Sequence, residues 1–128
     1  MKRQNIEVVL GFLDAIRRCD REAATDFLHP EIVWQGVAPD IVCRGPGEVL
    51  DIFVGRRDEQ IEIDRLELIG AQRGAVFAFH RPEVWELAGV EIRGAMYHAL
   101  EIDDGRIRRL TDYADVAQAL AAAGVADD

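Results

Sequence analysis

"GAVFAFHRPEVWEL", residues Gly74 to Leu87, reads as one long β-strand bounded by glycine-containing turns. Side chains alternate along a strand, so Phe77, Phe79, Arg81, Glu83, Trp85 and Leu87 fall on one face. That face is half aromatic and half ionic. Arg81 and Glu83 form either an ion pair on a solvated surface, the usual place for strand charges, or the polar lining of an apolar pocket. The flanking segments bear on the choice.

From Gln60 to Tyr113 the pattern is strand throughout. "IEIDRLELIG" (61–70) alternates Ile61 and Ile63 with Glu62 and Asp64, "VEIRGAMYHALEI" (90–102) follows, and "DDGR" (103–106) supplies hairpin-turn chemistry at Asp104-Gly105 before "IRRLTDYAD" (107–115). Before the strands come helices. "NIEVVLGFLDAIRRCD" (5–20) repeats Ile6, Val9, Leu10, Leu13 and Ile16 as an amphipathic stripe. A second helix is capped by Asp20, carries Ala23, Ala24, Phe27 and Leu28 inward, and ends at "HPE", because Pro30 disfavours helix at His29. "IVWQG" (32–36) is a short strand, and "GPGEVLDIFVGRR" (45–57) a third helix with Pro46 at its start. "DVAQALAAAG" (115–124) is a terminal helix capped by Asp115 and stopped by Gly124. Helices followed by a meander of strands predict an α+β fold: a curved, mostly antiparallel sheet forming a cone-shaped barrel, with about three N-terminal helices packed on it. The mouth of such a cone is a pocket.

The chain of 128 residues is expected to make one domain, 1–128. Its net charge of −9 argues against nucleic acid and anionic membrane as partners, both of which select basic surfaces. Cys19 and Cys43 are too sparse for a disulfide framework or a zinc site; no leader is read before them, and the expected setting is a reducing cytoplasm. No apolar run reaches the ~20 residues of a membrane span. His29, His80 and His98 lack metal-ligand spacing, and neither metal nor cofactor is expected. G-x-S-x-G, G-x-G-x-x-G and P-loop motifs are all missing.

Strand parity groups Arg81, Glu83 and Trp85 on one strand, Met96, His98 and Leu100 on the next, and Leu110 and Asp112 on the last, with Ile107, Arg109 and Thr111 on the reverse side. If these groups share an interior, two carboxylates and a guanidinium converge within walls of Phe77, Phe79, Trp85, Met96 and Leu110, a composition that suits a small-molecule pocket. Two desolvated carboxylates do not both ionise cheaply, so one keeps a proton while an arginine between them holds both in place. The pair is then a matched general acid and base. The structural alternatives are an ion pair for Arg81 with Glu83, a strand-end hydrogen bond for Asp112, and a pocket-lining role for His98.

"HPEIVWQG" (29–36), "CRGPGEVL" (43–50) and "DDGRIRRLTDYAD" (103–115) resemble the nuclear-transport-factor-2-like superfamily, in its SnoaL-like and limonene-epoxide-hydrolase branch. The resemblance spans nearly the whole chain and implies a cystatin-like α+β barrel; it says less about activity, because the superfamily hosts hydrolases, cyclases, isomerases and binding modules. Read against the hydrolases, it implies Asp112 as the base that activates water, Glu83 as the acid on the epoxide oxygen and Arg81 as the bridge. Their water-holding tyrosine and asparagine are replaced by Trp34, a donor only, and Gly36. Read against the polyketide cyclases, it implies Asp112 with His98 as the acid/base pair. The steroid isomerases match worse, since Phe12, Gln35 and Gly36 stand where their working residues fall. The resemblance further implies a small hydrophobic substrate, with Trp34 and Trp85 in the wall, and a homodimer formed through the outer face of the sheet near Tyr97, Ala95 and Ala99. The expected activity is water addition to an epoxide; the alternatives are cyclase or isomerase chemistry through Asp112 and His98, or ligand binding without turnover.

Overall fold

A computed structural model of the chain describes residues 2–38, 40–55, 66–79, 84–87, 90–93 and 96–124. Helices α1 (Lys2–Arg17) and α2 (Arg21–Asp26) lead into strands β1 (Leu28–Gln35) and β2 (Val42–Arg44) and helix α3 (Gly45–Gly55). Then come β3 (Leu66–Gly70), β4 (Gly74–Phe79), β5 (Val84–Leu87), β6 (Val90–Arg93), β7 (Tyr97–Asp103), β8 (Arg106–Tyr113) and helix α4 (Val116–Ala123). Six strands form a curved sheet in the order β2-β1-β8-β7-β4-β3, while β5 and β6 pair with each other in a second, two-stranded sheet. The large sheet is open at β2 and β3 rather than closed into a barrel. Its pairings are antiparallel except β1 with β8. The fold is the α+β arrangement expected.

Local chemistry explains most of the boundaries. The Asp20 carboxylate accepts from the Ala23 N–H at 3.1 Å and starts α2. That helix stops at Asp26, earlier than its apolar spacing suggests: Leu28 already pairs with Ile107, and Ile107 N–H donates to the Phe27 carbonyl at 2.7 Å. Pro30 holds His29 extended, so His29 lies in β1 and not in a loop. Asp104 and Gly105 both take positive φ, 52° and 76°, as a two-residue turn between twisted strands requires. Asp115 caps α4 through Ala117 N–H at 2.8 Å, and Gly124 ends it with φ of 81°.

Three readings of the sequence change. "GAVFAFHRPEVWEL" is not one strand of one sheet: β4 belongs to the six-stranded sheet and β5 to the other, and residues 80–83 between them lie outside the described residues. "VEIRGAMYHALEI" divides likewise into β6 and β7. Ile107 is fully buried with Leu110, although simple alternation puts it on the reverse side, because the β7–β8 register shifts between Glu101↔Arg109 and Ile102↔Ile107. Arg108 is the extra residue of that bulge, and the arginines at 106, 108 and 109 all reach solvent.

The inner face of the sheet packs on α1 and α3. Phe12, Phe53 and Phe77 are among its fully buried side chains, each contributing about 1.5–3 kcal/mol. On α1 the buried line runs through Asn5, Val9, Phe12 and Ile16, with Leu10 facing solvent. Asn5 is buried because its amide donates to the Ala71 carbonyl at 2.8 Å and the Gln72 carbonyl at 3.3 Å, fastening α1 to the β3–β4 turn. The outer face carries α4, whose Ala119 and Ala123 cover Val76 and Ala99. The apolar patch at Ala99, expected to meet a second subunit, is thus occupied by the chain's own helix, which small alanines let approach closely. Ala95 lies outside the described residues.

Candidate functional site

Strand register brings the site together. β7 sets His98 directly opposite Asp112 on β8, and β4 sets Phe77 opposite His98 on its other side. One step along, Leu100 faces Leu110, and Leu110 faces Trp34 on β1. Residues paired directly across strands share a face, so all of these side chains point inward.

His98 Nδ1 and Asp112 Oδ1 lie 2.6 Å apart, with side chains 6% and 4% exposed. Among the described residues they are the buried members of the Asp, Glu, His, Lys and Arg side chains. The ring of Phe77 lies 4.7 Å from that of His98, centre to centre, tilted by 31°; Trp34 lies 6.1 Å away and Phe53 6.5 Å. Phe53 stacks on Trp34 at 4.7 Å and meets Phe12 edge-on at 5.2 Å. A carboxylate and an imidazole therefore sit inside an aromatic cage.

That geometry has a chemical consequence. With Asp112 ionised, its carboxylate can only accept, which puts the proton of the bond on Nδ1 and leaves the lone pair of a neutral ring on Nε2. Nε2 hydrogen-bonds to none of the described residues. In that state Nε2 has a lone pair available and the ring is oriented by a carboxylate, the arrangement by which a buried acid fixes the tautomer and position of a histidine. One further polar atom is unusual: Trp34 Nε1–H is buried and has no hydrogen-bond partner among the described residues.

Of the residues expected at a site, Trp34, Phe77, Met96, His98, Leu110 and Asp112 are buried, and strand pairing joins all but Met96, which directly precedes β7. Phe79 ends β4 and Trp85 lies in β5, outside the six-stranded sheet; their side chains are not among those described. Arg81 and Glu83 lie outside the described residues. Phe12 and Phe53 join the cage although sequence reading expected neither at the site; the available signal was that the first and third helices must pack on the face that carries His98. Gly36, which the resemblance sets in the place of a water-holding side chain, follows β1, and a Cβ there would meet Ile41 Cγ2 at 2.5 Å. The Gln35 amide donates to carbonyls of the same 36–41 loop. No three His, Cys, Asp or Glu side chains among the described residues are placed to share a metal ion. No described helix is long and apolar enough to cross a membrane.

The fold, an open curved sheet with helices on its inner face, is that of the nuclear-transport-factor-2-like proteins. The chain is similar to an NTF2-like protein from Burkholderia xenovorans at 15% identity and TM-score 0.66, covering 96% of this chain and 97% of that one. An LEH-like epoxide hydrolase from Mycobacterium tuberculosis aligns at 18% identity and TM-score 0.60, covering 98% and 94% of the two chains. A candidate ketosteroid isomerase from Kribbella flavida aligns at 15% identity and TM-score 0.61, covering 87% and 77%. No family model and no curated protein matches the sequence.

Proposed function

We propose that the protein is a small-molecule acid/base enzyme in which His98 Nε2, held by Asp112, moves a proton on an apolar substrate. The observation that carries this is the 2.6 Å bond between two buried ionisable side chains inside an aromatic cage. In the simplest step Nε2 takes a proton from a carbon beside a carbonyl and the C–H electron pair moves into the enolate. The Asp112 carboxylate offsets the charge gained by the ring, and the same proton returns to carbon or oxygen. Isomerisation and aldol-type ring closure both begin this way.

The test is deuterium exchange beside the carbonyl of small cyclic ketones in D2O, followed by NMR. Wild type is expected to exchange it faster than buffer; His98→Gln and Asp112→Asn should each lose the excess, by on the order of 10³-fold if the carboxylate fixes the tautomer. Wild-type exchange at the buffer rate would oppose the proposal. Likeness to an LEH-like epoxide hydrolase over nearly both chain lengths supports a second reading, water addition to an epoxide with Asp112 as base. Diol formed from cyclic epoxides in ¹⁸O-water, and lost in Asp112→Asn, would favour that reading.

A further inference from the structure

We infer that Trp34 is the hydrogen-bond donor that seats a neutral acceptor oxygen of the ligand, a ketone carbonyl on an apolar ring system, beside His98. The inference rests on the reading of His98 and Asp112 as the reacting pair and adds what the ligand must present to them.

Trp34 is 5% exposed, and its Nε1–H has no partner among the described residues. Buried donors are almost always paired, so an orphaned one marks a place where a partner belongs. The neighbours of the indole explain why the protein supplies none. Phe53 covers one face in a stack at 4.7 Å, while Leu110 and Cys43 flank it from β8 and β2. On the same face stands His98, whose ring lies 6.1 Å away and nearly perpendicular, at 75°.

The chemistry of the missing partner follows. An indole N–H only donates, so the ligand atom is an acceptor, which excludes ammonium and amide N–H groups. An anion is disfavoured by the Asp112 carboxylate on the same face and by a chain charge of −9. A neutral oxygen remains, and the aromatic walls suit a flat apolar ring to carry it. With that oxygen on Trp34, the carbon next to the carbonyl falls on the His98 side, and the indole can stabilise the oxygen as it gains charge in the enolate.

The test uses the full chain, with indole ¹⁵N label, and two probes that differ by one oxygen, 1-tetralone and tetralin. Trp85→Phe assigns the two indole signals. Tetralone is expected to shift the Trp34 Nε1–H resonance downfield and tetralin to leave it nearly in place; Trp34→Phe should weaken tetralone binding about tenfold and tetralin binding less than about twofold. An unmoved resonance in wild type, equal losses for both probes, or no tetralone binding up to millimolar concentration would each overturn the inference. Deuterium exchange at tetralone C2, measured on the same samples, reports on the His98–Asp112 reading separately. Binding with an indole shift but no exchange upholds the role of Trp34 and opposes that of the pair. Exchange without an indole shift does the reverse.

Discussion

Removing His98 alone and Asp112 alone should together cost more stability than removing both at once. With His98 replaced by alanine, the Asp112 carboxylate, 4% exposed, loses the hydrogen bond described for it and stays enclosed by the sheet. Breaking a buried pair from one side costs about 3–5 kcal/mol, because a charge is left uncompensated. Asp112→Ala strands only a neutral imidazole N–H, a penalty of about 1–3 kcal/mol plus the small cavity. In the double variant neither penalty remains, so the two single costs together should exceed the double by at least about 1.5 kcal/mol, the lower end of the range for a hydrogen bond to a charged group. Urea unfolding at pH 7, monitored by tryptophan fluorescence, gives each value. Domains of this size have about 5–15 kcal/mol of stability, so even the His98→Ala variant should show a folded baseline. Single costs that add to the double within about 0.5 kcal/mol would refute the bond.

Other consequences reach the rest of the fold. A Cβ at Gly74 would lie 1.7 Å from the Leu100 carbonyl oxygen, backbone against backbone; Gly74→Ala should cost at least about 3 kcal/mol in urea unfolding, and a near-neutral result would contradict the β4–β7 register. Asp115→Ala removes the cap of α4 and should lower stability by about 1 kcal/mol. Burial raises the Tyr97 phenol above its ordinary value of 10.0, with a smaller push from the Glu67 carboxylate. The unfolded chain therefore ionises first, so the stability linked to Tyr97 is present below pH 10 and is lost as pH rises through the folded value. Tyr97→Phe should flatten that alkaline loss in pH-dependent unfolding.

What was legible in the sequence was local chemistry and parity within a strand. The Asp104-Gly105 turn and the Asp115 and Gly124 caps could be read because each needs only its own neighbours. The convergence of His98 with Asp112 followed from alternation in β7 and β8 once the hairpin between them was recognised. What failed needed partners distant in sequence. Residues 74–87 alternate like one strand, yet sheet membership changes between Phe79 and Val84, and alternation carries no mark of that change. The bulge at Arg108, which turns Ile107 inward, satisfies a register set by Glu101 and Ile102. Ala99 looked like interface because nothing in "YHALEI" shows that α4 will return to cover it. The orphaned Trp34 donor was illegible for the same reason: an indole's partner, or its lack of one, is decided by strands and a helix far along the chain.

The central claim is that Asp112 holds the His98 proton on Nδ1 and leaves Nε2 as the base. Long-range ¹H–¹⁵N spectra of imidazole-labelled protein, taken with the ring neutral, test it directly. The account predicts a protonated Nδ1 and an unprotonated Nε2, with that preference lost in Asp112→Asn. A proton on Nε2 in the wild type would contradict it, because the only ring nitrogen left free of Asp112 would then have no lone pair to receive a substrate proton.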